Sequence, residues 1–480
     1  MESEHRSQSW RLDAVSLSRA FAAGSLDPRD VLAQLFDRHA LINRDLNATV
    51  LVDRDAAMAA AGDSHTRWRA GRPLSCLDGV PVTVKDNIPV SGLRCIWGSE
   101  LFADRVSAGD EIAVERLRAA GAVIWAKTNT PELAMAGITE NRVSGITRNP
   151  WDLGRIPGGS SGGAAALVAA GVGPLGLATD AAGSIRRPAC YCGVVGIRPS
   201  TGLVARLPGS EDVAFAPLAG DFQVIGPIAR SVADATALLH LVAGGDPRDR
   251  ASLGSPPFPQ APEPFRRGTR VGVIASISPH PCDPAEEIAA LAAGEALRSH
   301  GADVRTIRAF WDPDETNTLF AILASVGVAR VVRRHEGWEE RVTPIIRGLA
   351  ETGLAVSGAD YLDALDRVAA LRLACLQAFS SVDAVLTPAS ATLPWEVGRA
   401  FPQTIGGVSA GPRAGGIFSV FVNMLGLPAI ALPGPPDSSG LPAGVQLIGA
   451  FGSDAALVSI AAELEHALWP DGLPRPPAYA

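Results

Sequence analysis

The sequence predicts an α/β fold. From about residue 78 onward, short apolar strand-like runs alternate with amphipathic helical ones, the pattern of a sheet with helical connections. The composition agrees: 47% of residues are apolar and 19% charged, which provides for a large buried core. A chain of 480 residues is long enough for two or three ordinary domains or for one continuous α/β body.

The same numbers exclude other classes. Apolar content this high argues against a disordered chain, and a net charge of −8 gives no basic footprint for nucleic acid. The opening MESEHRSQSW lacks the apolar region of a secretory signal and the character of a transit peptide, so a cytoplasmic location is expected. The uncharged run 162–179 resembles a membrane span, but it is rich in Gly and Ala and broken by Pro174. A buried helix followed by a buried strand is expected there, and no membrane association.

Each element follows from local pattern. Residues 13–24 and 25–48 read as helices; in the second, Ser25 is the expected N-cap and Pro28 falls in the first turn. Leu32, Leu35, Phe36, His39 and Ile42 then recur at helical spacing. VPVTVKD (80–86) alternates like a strand, DEIAVERLRAAG (110–121) is an amphipathic helix ending at a glycine, and AVIWAKTN (122–129) is the next strand. A second unit of the same kind runs through TRVGVIAS (269–276), a helix at 283–301 and a strand at 302–307. Helical sequence over roughly 315–380, a strand at 382–390, a helix–turn–strand passage at 417–449 and a last helix at 454–468 complete the chain. The proline-rich 254–265 reads as a surface crossover within one fold.

No metal or other cofactor is expected. The six cysteines are scattered, and Cys190-Tyr191-Cys192 has no second ligand pair near it in sequence. Small buried apolar side chains in a reducing compartment account for them.

The stretch that calls for chemistry is GGSSGG (158–163). A phosphate-binding P-loop needs a lysine directly after its last glycine, but Ala164 follows Gly163. The glycine spacing of a dinucleotide fingerprint is also absent, and RNPWDLGRIP before it is loop rather than strand. A flexible joint is the generic alternative for any Gly/Ser cluster. Against it stand two neighbours: a lysine ending an apolar strand in PVTVKDN (81–87), and a second hydroxyl-bearing turn in TDAAGSIRRPA (179–189).

The constellation Lys85, Ser160 and Ser184 resembles the amidase signature family. The resemblance extends through DGVPVTVKDNI (78–88), AKTNTPELA (126–134), TRNPWD (147–152), GGSSGGAAALVAAG (158–171), TDAAGSIRRPACYCGVVGIRPS (179–200), FQVIGPIARSVAD (222–234), NMLGLPAIALPG (423–434) and LPAGVQLIG (441–449). It implies a single domain over 1–480, with N-terminal helices at 10–60, a signature core at about 78–200 and a C-terminal part at about 268–470. Its fold would be a central mixed β-sheet covered by helices on both faces.

The activity implied is hydrolysis of a carboxylic amide, a linear one first of all, to acid plus ammonia or amine. Ser184 would be the nucleophile, Ser160 (in a cis peptide in that family) the proton bridge and Lys85 the base, which has to be neutral to accept a proton. Backbone N–H groups of Ala181, Ala182, Gly183 and Ser184 would form the oxyanion hole. Ser161, Asp180 and Arg186 would support these groups without carrying protons. Two positions depart from the family text. Ala182 stands where a glycine is common, and a positive φ would strain it; Arg187 stands where an apolar residue is frequent, and the sequence offers no account of it.

Two rivals accompany this reading. One is the amidase component of a tRNA-dependent amidotransferase, whose usual SIRQPA is SIRRPA here and whose following run differs from LPGSEDVAFAPLAGDFQVIGP. The other is a non-catalytic binding scaffold, which the presence of all three residues opposes. The substrate is a small-molecule amide of unspecified class, and a homodimer is a fair expectation. Segments 131–145, 308–335 and 388–422 are the candidate pocket walls. Phe310, Trp311, Phe320, Trp395, Phe418 and Phe421 are either pocket or ordinary core.

Overall fold

The protein is described by a computed structural model covering residues 9–207 and 221–479. The expectations for residues 1–8, and for most of the LPGSEDVAFAPLAG run at 208–220, lie outside the described residues. Eleven strands form one sheet. Its spatial order is Thr49–Val52, Val123–Thr128, Pro81–Lys85, Leu175–Asp180, Val224–Ala229, Val195–Arg198, Ala429–Pro433, Gly444–Gly449, Ala384–Pro388, Arg270–Val273 and Asp303–Thr306. The sheet is mixed. Pro81–Lys85 runs parallel to both its neighbours, the centre is antiparallel from Leu175–Asp180 across to Ala384–Pro388, and the far edge is parallel again.

Helices cover both faces, because alternate residues of the central strands are apolar in both directions. Leu175 and Leu177 join a core with Ala235, Leu238, Ala289, Ala293, Leu457 and Val458, from the helices Val232–Val242, Pro284–Ser299 and Asp454–Leu468. Ala178, next in the strand and so on the opposite face, meets Ala164, Val168 and Ala189 from the helices Gly162–Ala169 and Arg186–Cys192. The uncharged 162–179 run is thus a buried helix followed by a buried strand.

Several local expectations shift. The second helix is Pro28–Leu46, and its N-cap is Asp27 rather than Ser25: the Asp27 carboxylate accepts the Arg29 N–H at 2.9 Å, while Ser25 Oγ donates to Ala20 O at 3.1 Å. The helical stretch near 315–380 is four helices, Pro313–Val332, Trp338–Arg341, Pro344–Ala355 and Gly358–Ala378. Gly337 with φ 65°, Pro344 and the Ser357–Asp360 capping box mark their starts. The strands Val195–Arg198 and Val224–Ala229 are buried on both faces, so they carry no alternation to read.

The fold places the site where two parallel strands end. Pro81–Lys85 and Leu175–Asp180 run side by side with Val84 opposite Leu177, so Lys85 and Thr179 emerge at the same edge of the sheet. Parallel strands commonly present chemistry at their carboxyl ends. Above this edge, Pro313–Val332 packs on Pro344–Ala355 so closely that a Cβ on Gly353 would lie 2.1 Å from Ser325 O. Gly353→Ala is therefore expected to cost about 1–3 kcal/mol. Gly62→Ala, in Arg54–Arg69 with open space around it, is expected to add about 0.5–1 kcal/mol. Paired thermal-melting curves check this; a Gly353→Ala protein melting at or above the parent contradicts the close contact.

Candidate active site

Lys85 is fully buried, and its Nζ lies 2.7 Å from Ser160 Oγ, 2.9 Å from Ser161 Oγ and 3.0 Å from Thr179 Oγ1. No carboxylate among the described residues is hydrogen-bonded to it. Burial pushes its pKa down to about 7, while the more distant charges of Asp180 and Asp86 pull the other way. Asp86, the immediate neighbour, is turned aside: its carboxylate accepts the N–H groups of Ile96 at 3.5 Å and Gly98 at 3.3 Å. Two hydroxyls are fixed from behind. Asn87 Nδ2 donates to Thr179 Oγ1 at 3.0 Å, and Ser161 Oγ donates to Thr179 O at 3.2 Å.

The GGSSGG segment brings its serines here by close approach. The Gly159–Ser160 peptide is cis, as the resemblance implies. A Cβ on Gly159 would lie 2.3 Å from Ile138 O, and one on Gly163 2.5 Å from Ala48 O. Only glycine lets the segment sit this deep. The helix Gly162–Ala169 starts directly after Ser161, so both serines are held at its entry. A flexible joint is incompatible with this burial.

Ser184 sits on the facing turn. Its carbonyl accepts the Ser161 N–H at 3.1 Å, which fastens the two turns together. The turn is organised by Asp180, which is wholly buried and paired with Arg186 at 3.1 Å. Asp180 also accepts the N–H groups of Gly183 at 2.7 Å and Ile185 at 3.0 Å. The Arg186 and Arg198 cations hold its carboxyl well below the usual range despite burial. Arg186 reaches further, donating to Gln446 Oε1 at 2.8 Å and Ser419 O at 3.2 Å; Asn423 Nδ2 donates to Asp180 Oδ1 at 2.9 Å. The C-terminal part thereby braces the Ser184 turn.

This geometry corrects one expected oxyanion donor. The Gly183 N–H is directed at the Asp180 carboxylate, so it is already engaged. The N–H groups of Ala181, Ala182 and Ser184 have no acceptor among the described residues. The alanine at 182 is also accommodated, because the left-handed residue of the turn is Gly183, with φ 97°, and not Ala182.

Ala181, Ala182 and Ser184 lie in the wall of a cavity of about 510 Å³. Met135, Phe320, Leu349, Trp395, Phe401 and Val420 make its wall largely apolar, and Arg187 and Arg413 are its only charged lining residues among those described. Of the six aromatic candidates, Phe320 and Trp395 face this cavity. Phe310, Trp311, Phe418 and Phe421 are core, with Trp311 and Phe421 stacked at 3.7 Å. A larger concavity of about 610 Å³ beside Phe21, Pro28 and Trp68 holds none of the Lys85, Ser160 or Ser184 groups.

Sequence reasoning missed Asn87 and Thr179, although both lie inside the family-like motifs. It also missed Asn423 and Gln446, whose distance in sequence from Ser184 hides their role. A hydroxyl or amide next to a buried lysine is the signal that points to the first two.

The model of the family described as Amidase matches residues 30–458. The chain is 34% identical to the A subunit of the glutamyl-tRNA(Gln) amidotransferase of Prochlorococcus marinus (strain MIT 9303), over 92% of this chain and 94% of that protein. It superposes on a bacterial aryl acylamidase belonging to the amidase signature enzymes with a TM-score of 0.86 and 25% identity, covering 95% of this chain and 96% of that one. The superposition on the A subunit of the glutamyl-tRNA(Gln) amidotransferase of Thermotoga maritima gives a TM-score of 0.78 and 28% identity, covering 95% of each chain. The chain belongs to the amidase signature family.

Proposed function

We propose that this protein hydrolyses a carboxylic amide to an acid and ammonia or an amine through an acyl-enzyme on Ser184. The observation that carries the reading is the 2.7 Å contact between Ser160 and a buried lysine with a pKa near 7. Such a lysine is substantially neutral at ordinary pH, so its lone pair can take the Ser160 hydroxyl proton while Ser160 takes that of Ser184. Ser184 Oγ then bonds to the carbonyl carbon, and the N–H groups of Ala181, Ala182 and Ser184 receive the developing oxyanion. As the C–N bond breaks, the proton returns from Lys85 through Ser160 to the leaving nitrogen. Water, deprotonated along the same path, releases the acid and restores Ser184.

The sequence relatives support a second reading more strongly than this one: the amidase component of a tRNA-dependent amidotransferase, which draws ammonia from glutamine for its partner proteins. The two share the acyl-enzyme chemistry and differ in substrate and partner. Two observations favour the stand-alone hydrolase. The superposition is better on the aryl acylamidase than on the Thermotoga protein, 0.86 against 0.78. The described cavity lining contains no carboxylate to meet the α-ammonium of glutamine.

Ammonia release from aliphatic, aromatic and ureido amides and glutamine separates the readings, and glutamine as the sole substrate establishes the second. Ser184→Ala is expected to lower turnover by at least about 10³-fold, Lys85→Ala nearly as much, and the double variant no further, because the residues act as a unit. Full activity in either single variant defeats the proposal. The lysine also sets a pH dependence. Its protonated form cannot act as base, so kcat/KM is expected to fall about tenfold per pH unit below about 7 and to level off above it. A flat profile from pH 5 to 8 excludes Lys85 as the titrating base.

A further inference from the structure

The residue without an explanation in the sequence is Arg187, and the structure assigns it one: we infer that Arg187 binds a carboxylate on the substrate, so that the preferred substrates are amides that carry a negative charge. This inference rests on the amide-hydrolase reading of the Ser184 cavity. Arg187 lies three residues after Ser184, at the start of the helix Arg186–Cys192, and lines the cavity with it. Its guanidinium is seated in a fixed place. Nη1 is 3.0 Å from where a Cβ on Gly137 would stand, with the Trp395 ring edge 3.7 Å from that same point, and Nη2 is 3.7 Å from the corresponding position on Gly416. A side chain at Gly137 would crowd the seat, whereas a Cβ at Gly416 would reach only ordinary contact distance.

Among the described residues the guanidinium has no hydrogen-bonding partner. Arg187 makes no side-chain hydrogen bond or ion pair with any described residue, and its Nε is buried with no acceptor. Its chain neighbour Arg186 shows the contrast, bonding to Asp180, Ser419, Asn423 and Gln446. A guanidinium cannot shed its proton, so a buried donor of this kind is costly unless something completes it. No aspartate or glutamate lies in the described cavity wall. The second cation there, Arg413, donates to Asn317 O at 3.3 Å and lies 5.3 Å from the Phe320 ring centroid, and it adds positive potential to the same cavity. A planar fork of donors matches a carboxylate in two-point geometry. The apolar surfaces of Met135, Phe320 and Leu349 suit the carbon chain between that carboxylate and the amide.

The carboxylate can belong to the acyl part or to the amine part of the substrate, and matched pairs distinguish these. Adipamate is compared with hexanamide for the acyl side, and N-hexanoylglycine with N-ethylhexanamide for the amine side. The protein is expected to prefer the charged member of at least one pair by about tenfold or more in kcat/KM. Arg187→Gln is expected to erase that preference, mainly by raising KM for the charged amide, and Arg187→Lys to keep part of it. Equal turnover of both members of each pair, or a preference that survives Arg187→Gln, overturns the inference. Calorimetry with adipate alone provides a readout independent of turnover. Binding by the parent protein that Arg187→Gln weakens by about tenfold or more supports the subsite, and undiminished binding or none at all overturns it. Should these four amides and the aliphatic, aromatic, ureido and glutamine panel all resist hydrolysis while adipate binding depends on Arg187, the amide-hydrolase reading fails and the carboxylate site stands.

Discussion

A buried lysine with no anion bonded to it among the described residues is the constraint around which this structure is organised. Removing an ammonium from water is unfavourable unless the group is neutralised, and here burial lowers the Lys85 pKa to about 7. Among the described residues its partners are all neutral, the hydroxyls of Ser160, Ser161 and Thr179 and, at 3.5 Å, the Thr179 carbonyl. The nearest carboxylate in sequence, Asp86, is directed to the Ile96 and Gly98 amides instead. A carboxylate bonded to Lys85 would favour its charged form, which cannot accept a proton.

The second constraint is the opposite kind of burial. Asp180 and Arg186 are both inaccessible to solvent and paired with each other, and each uses its remaining capacity on the Ser184 turn or on the C-terminal part. Breaking a pair of this kind leaves an uncompensated charge, which typically costs several kcal/mol. Its value to the site is geometric. Asp180 fixes the Gly183 and Ile185 amides, while those of Ala181, Ala182 and Ser184 have no acceptor among the described residues. Through Asn423 and Gln446 the turn is tied to segments more than two hundred residues away, which is one reason the site needs the whole sheet.

Much of the fold was legible because the relevant signals are local. The alternation in VPVTVKD, the alanine-rich helix after GGSSGG and the glycine after RLRAA each fix an element from a few residues. What stayed hidden depends on contacts across the sheet. Val195–Arg198 and Val224–Ala229 are buried on both faces and so have no period to read. Asp27 caps its helix in place of Ser25 because the preceding turn engages the Ser25 hydroxyl. In the site, the spacing of motifs brought out Lys85, Ser160 and Ser184, and the family resemblance added Ser161, Asp180 and Arg186. The commitment of the Gly183 amide and the lack of a partner for Arg187 among the described residues emerge only when the turn is seen against Asp180, Gly137 and Gly416.

The central claim is that Ser184 becomes nucleophilic because Lys85 is neutral. The most direct measurement is the rate at which a fluorophosphonate probe labels the protein, followed by intact mass and peptide mapping across pH 5 to 9. The account predicts a single adduct on Ser184, with a labelling rate that rises through about pH 7. Labelling at another residue, or at Ser184 with a rate indifferent to pH across that range, would contradict it.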